Sequence, residues 1–94
     1  NPRPTLRVNH LNPLYTGDTV TLTCDLQQYT GMEFHWFKNY LWFQRFLTQA
    51  KSTNTLLVTV ANAGETVYEC GVVNYISWRQ AYTELSDQVK TTAR

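Results

Sequence analysis

Four side chains in this sequence have the types for nucleophilic or metal chemistry: Cys24, Cys70, His10 and His35. A four-ligand zinc site needs closely spaced pairs such as Cys-x-x-Cys, and the sequence has none. A hydrolase needs a nucleophile, a base and an orienting group within reach of one another. His35 stands beside Trp36 and His10 stands near a break at Asn12-Pro13, and neither has an evident Ser or Cys partner. Both histidines therefore read as ordinary surface residues. No glycine-rich phosphate loop occurs either. An enzyme is not expected, nor a cofactor, nor a metal. The even cysteine count leaves two readings open. One is a disulfide, which implies an oxidising compartment, secreted or on the outer side of a cell; the other is two buried free thiols.

The elements that position these residues must come from a short chain. Its 94 residues predict one domain, residues 1–94. So small a core gains from a covalent staple. Eight Lys and Arg stand against seven Asp and Glu, scattered without a basic stripe, so nucleic acid is not an expected partner. No apolar run approaches the roughly 20 residues that span a bilayer, so this domain is not expected to insert in a membrane. The Asn1-Pro2-Arg3-Pro4 opening reads as a mature fragment cut from something longer. No Asn-x-Ser/Thr sequon marks a glycan-covered face.

Short β-type runs recur between turn signals. Thr5 to Asn9 alternates, Asn12-Pro13 breaks it, and Thr16-Gly17-Asp18 turns. Thr19 to Leu26 alternates cleanly, with Val20, Leu22, Cys24 and Leu26 on one face. Tyr29-Thr30-Gly31 turns again. In the next strand Phe34 and Trp36 share the inner face, while Glu33, His35 and Phe37 point away. Asn54 to Val60 is a β-branched run, and Asn62-Ala63-Gly64-Glu65 is a turn. Val67 to Val73 is a strand with Tyr68, Cys70 and Val72 on one face. Asn74 to Gln80 reads as a loop, and Ala81 to Thr92 as a last strand.

Cys24, Trp36, Tyr68 and Cys70 together form a signature. It pairs an inter-sheet disulfide with a Trp packed against it, and with a Tyr two residues before the second cysteine whose hydroxyl bonds back to the backbone. The strand parity agrees, because Cys24 and Cys70 both fall on inner faces. The expected fold is all-β, an immunoglobulin-like two-sheet antiparallel sandwich of about seven to eight strands. The short stretch between the cysteines favours a short C-type arrangement without the two extra strands of a variable domain. The Tyr68 hydroxyl is expected to meet backbone near Asn62 to Gly64.

The phrases "GDTVTLTC" (Gly17 to Cys24), "WFKN" (Trp36 to Asn39) and "TLLVTVANAGETVYEC" (Thr55 to Cys70) resemble immunoglobulin domains of Fc receptors, Fc-receptor-like proteins and the leukocyte immune-type receptors of bony fishes. The likeness runs from about Pro4 to Val89. Two places depart from the family pattern. Thr66 and Gly64 stand where its Gly and Asp precede the second cysteine, and Asn39-Tyr40 replaces its Asn-Gly turn. The resemblance implies an extracellular receptor domain whose partner is an immunoglobulin Fc or a histocompatibility class I-like molecule. A homodimer through the outer face, with Phe37, Val73 and neighbouring aromatics, is the alternative; a spacer domain of a longer receptor is another.

Two stretches are candidates for contact. Asn39 to Leu47, "NYLWFQRFL", is dense in aromatic and aliphatic residues and directly follows the Trp36 strand. Trp42, Phe43, Phe46, Leu47 and Ala50 fit a helical face, but ten residues without a good N-cap make a marginal helix, and a bulged strand is the favoured form. Packing into core and rim competes there with an exposed patch of the kind that marks partner sites. The second stretch follows Cys70. Tyr75, Ile76, Trp78 and Arg79 are richer in aromatic and Arg character than a solvated turn needs. The alternative is a Trp78 folded back on the sandwich end. The expected contact surface joins these four to Tyr29 and Thr30 in the loop after Cys24, and extends to Tyr40 and Trp42.

Overall fold

The computed structural model describes residues 3–26, 32–39, 41–47, 54–76, 79–82 and 85–94; for 32–33, 41–47, 73–76 and 79–82 it describes the backbone alone. The strands are β1 (Thr5–Asn9), β2 (Thr19–Asp25), β3 (Met32–Lys38), β4 (Leu41–Leu47), β5 (Thr55–Thr59), β6 (Gly64–Ile76), β7 (Arg79–Tyr82) and β8 (Val89–Ala93). They form two antiparallel sheets. One has the order β1-β2-β5; the other runs β4-β3-β6-β7, with β8 also paired to β6.

The period-2 pattern explains the packing. Val20, Leu22 and Cys24 of β2 meet Phe34 and Trp36 of β3 and Cys70 and Val72 of β6, all fully buried. Leu6, Leu14, Leu56, Val60 and Tyr68 complete the layer between the sheets. The residues that alternate with them on β2 are threonines, and Thr21 lies between Asn9 and Leu57 in the register. A strand with one apolar and one hydroxyl face can be buried one way round only, so its register is set.

The chain changes sheets after β1. Beyond Asn12-Pro13, Leu14 bridges Ala93 of β8 in parallel, and the Arg94 N–H donates to the Leu14 carbonyl at 2.8 Å. The turn that follows uses Gly17 at φ 91°, where a side chain is disfavoured, and its N–H donates to the Val60 carbonyl at 2.8 Å. Gly64, at φ 111°, opens β6 in the same way.

The stretch after Asn39 takes the favoured form, a bulged strand, and not the helical alternative: β4 pairs with β3 along Glu33 to Lys38. The register shifts between Trp36 and Phe37, which face Gln44 and Trp42, so Phe43 is the additional residue of a bulge. Backbone hydrogen bonds to an adjacent strand outweigh a helical periodicity of marginal length. Other expectations change. Asn74 to Gln80, expected as a loop, is largely strand. β6 continues to Ile76, β7 begins at Arg79, and the final strand is split into β7 and β8. Finally, His35 is not a surface residue. It is 3% exposed, although it alternates with the inward-facing Phe34 and Trp36.

Tyr68 is 2% exposed, and its hydroxyl hydrogen-bonds the side chain of Thr91 on β8. Burial raises the Tyr68 pKa above its ordinary value of 10.0, and the Thr91 bond offsets part of the rise. The neutral phenol is thus favoured in the folded state. The stability this contributes is fully present below pH 10 and is lost as pH rises through the raised folded pKa. Tyr68→Phe is expected to cost about 1 kcal/mol at neutral pH. It should also flatten the alkaline fall in stability, as read from urea midpoints on both sides of pH 10. A variant with the same midpoint and the same alkaline fall as the parent would show that this hydroxyl contributes nothing.

Candidate functional site

The centre of the sandwich is built for strength. Cys24 and Cys70 are joined by a disulfide with their Cα atoms 6.1 Å apart, and both are fully buried. Trp36 is Cys70's direct register partner across β3 and β6, also at 0% exposure. Its Nε1 has no hydrogen-bond partner among the described residues, so the indole acts here through packing alone. The Cys24 carbonyl accepts from Asn54 Nδ2 at 3.2 Å, just before β5. The described residues hold no cysteine free for nucleophilic work. None of their His, Cys, Asp and Glu side chains form a group of three or more that could hold a metal ion. The described residues form a β-sandwich around this bridge.

Three of the candidate contact residues, Tyr75, Ile76 and Arg79, fall on one extension of the larger sheet. β3 pairs with β6 from Lys38↔Tyr68 up to Met32↔Asn74. Beyond that point Tyr75 faces Gln80 and Ile76 faces Arg79, within the β6–β7 hairpin alone. Tyr75, Ile76 and Arg79 are therefore strand residues of a hairpin that runs past the start of β3. Trp42 lies on β4 opposite Phe37, which is half-buried. The structure thus joins Tyr75, Ile76 and Arg79 in one hairpin and puts Trp42 on the opposite edge strand of the same sheet. Tyr29, Thr30, Tyr40 and Trp78 lie outside the described residues.

Two further residues hold this sheet in place and were not singled out from the sequence. Asn39 turns the chain between β3 and β4 at φ 51°, a left-handed conformation that Asn tolerates better than most residues. Its N–H donates to the Val67 carbonyl at 2.7 Å, and its Oδ1 accepts from the Val67 N–H at 3.0 Å, tying the turn to β6. Ser86 is buried beside Cys70. Its N–H donates to the Cys70 carbonyl at 2.8 Å and its Oγ accepts from the Cys70 N–H at 2.9 Å. The one cue to Asn39 was its place in the turn after "WFK"; Ser86 sits in a polar run without periodicity, which carries no cue at all.

Exposed ion pairs decorate the edges: Arg3 with Asp87, Arg7 with Asp25 at 2.6 Å, and Lys90 with Glu65 at 3.5 Å. No described helix is long and apolar enough to cross a membrane.

Two antiparallel sheets bridged by a buried disulfide, with a Trp against it, define an all-β domain of the generic immunoglobulin-like fold. Comparison with protein-family models gives no match, and comparison with curated proteins gives none.

Proposed function

We propose that this domain is a ligand-binding ectodomain of an immune receptor of the Fc-receptor-like group, cell-surface or shed, with the short constant-type strand layout. Its partner would be an immunoglobulin Fc or a histocompatibility class I-like protein. The observation that carries the reading is the β6–β7 hairpin. It extends past β3 and brings Tyr75, Ile76 and Arg79 together, and Trp78 stands between Ile76 and Arg79 in the sequence. The phrases resembling that receptor group support the partner class, and the buried disulfide supports an oxidising, extracellular setting. Tyr29 and Thr30 would join the contact from the loop after β2, and Tyr40 and Trp42 from the β4 side.

The test is binding of the isolated domain to immobilised immunoglobulin Fc and to a class I molecule. Trp78→Ala and Arg79→Ala should each weaken that binding about thirtyfold, the usual cost of truncating a desolvated Trp or Arg. Their unfolding midpoints should hardly move. Normal binding by both variants, with binding abolished in Trp42→Ala, would move the site to β4. If Trp78→Ala instead lowers stability by several kcal/mol, its indole is core and the assignment falls.

A second reading, a homophilic module, draws on half-buried Phe37 and on Trp42 opposite it in the register. Sedimentation equilibrium separates the two. A dimer at micromolar concentration that ignores both ligands would favour the homophilic module.

A further inference from the structure

β6 is one continuous strand, but its partner along one edge is broken in two. β8 pairs with Gly64 to Tyr68, and β7 pairs with Val73 to Ile76. Across the gap the edge is held by Leu85, Ser86 and Asp87. Ser86 is 3% exposed, and its Oγ takes the Cys70 N–H that a partner strand would take with a carbonyl. The same Oγ donates to the Asp87 carbonyl at 3.0 Å, which fixes the kink. From the other side Arg3 clasps the segment, with its Nε donating to the Leu85 carbonyl at 3.0 Å and its Nη2 paired with Asp87.

Leu85 reaches over the sheet. Its Cδ2 lies 2.8 Å from where a side chain on Gly71 would begin, so it fills the notch that the glycine leaves. Gly71 is the direct register partner of His35. His35 alternates with the core residues Phe34 and Trp36 and so points away from the core, yet it is 3% exposed. On that outward side Leu85 lies over Gly71, the register neighbour of His35, and is itself 40% exposed.

We propose that Leu85–Asp87 is a releasable latch: closed, its leucine plugs the Gly71 notch and shuts solvent from His35; open, it bares His35. Its clasp is the weak point, because Arg3 and Asp87 side chains are 51% and 85% exposed and their attraction is screened by salt.

The test uses the only two histidines, with His10 as internal reference. Each is labelled by diethyl pyrocarbonate or imidazole deuterium exchange and read by peptide mass spectrometry. In the parent chain His35 should label at least about tenfold more slowly than His10, as expected for a group exposed only by local opening. Leu85→Ala removes the plug, and Gly71→Ala displaces it by crowding the flexible end of the leucine. Both should bring the two rates within about threefold of one another, with the unfolding midpoint unchanged. Arg3→Gln should give an intermediate rate, and high salt should reproduce it in the parent. If His35 stays as protected in Leu85→Ala and Gly71→Ala as in the parent, its cover lies elsewhere and the latch is overturned. Exposure that appears only with a lowered midpoint overturns it too. Trp78→Ala should leave His35 labelling unchanged whatever it does to ligand binding, so the two proposals fail separately.

Discussion

Trp36→Ala is expected to cost about 3–5 kcal/mol, the range for truncating a buried large aromatic. The indole is fully buried in the second sheet, faces Cys70 across β3 and β6, and has the fully buried Phe34 two residues away on the same face. Removing it leaves a cavity beside the disulfide, which itself prevents the two sheets from closing in. Domains of this size have a total stability of about 5–15 kcal/mol, so the variant should be close to unfolded at 37 °C. Trp36→Phe should be far milder. Its Nε1 has no hydrogen-bond partner among the described residues, so Phe sacrifices volume without breaking a bond. Urea titration with an unchanged m-value measures both. Equal losses for Phe and Ala would mean that the indole N–H matters after all, through a partner beyond the described residues.

The second large effect is expected from the bridge. Replacing Cys24 and Cys70 together with Ala should cost about 2–5 kcal/mol, as for native disulfides in small secreted domains. Closing a loop of 46 positions contributes about 4 kcal/mol in the chain-entropy treatment. Both cysteines are fully buried, so reductant should reach them only when the domain opens. Non-reducing digestion should yield the linked peptides, and reduction under native conditions should proceed no faster than global unfolding. Rapid native-state reduction at full stability would contradict the burial. Combined with Trp36→Ala the losses should not simply add, because the residues are in contact and share one cavity.

What could be determined from the sequence alone was set by local periodicity. The Val20-Leu22-Cys24 alternation selects the buried face of β2 before any partner is known, since a strand's side chains can only alternate. Cys24, Trp36, Tyr68 and Cys70 then carry the sandwich and its bridge, because all four lie on inner faces by the same parity. Outer faces obey no such rule. His35 read as a surface residue because it alternates away from Trp36. It is nevertheless buried, and its register neighbour Gly71 is covered by Leu85, from a segment 50 positions after it. The same holds for Thr91 as a partner of the Tyr68 hydroxyl, which depends on β8 docking beside β6, and for the continuation of β6 to Ile76, which β7 accompanies by pairing. Only the tertiary structure could decide these points, because each depends on which distant backbone arrives alongside. A side chain's periodicity gives its direction, and the covering of that direction is a long-range contact that local sequence does not encode.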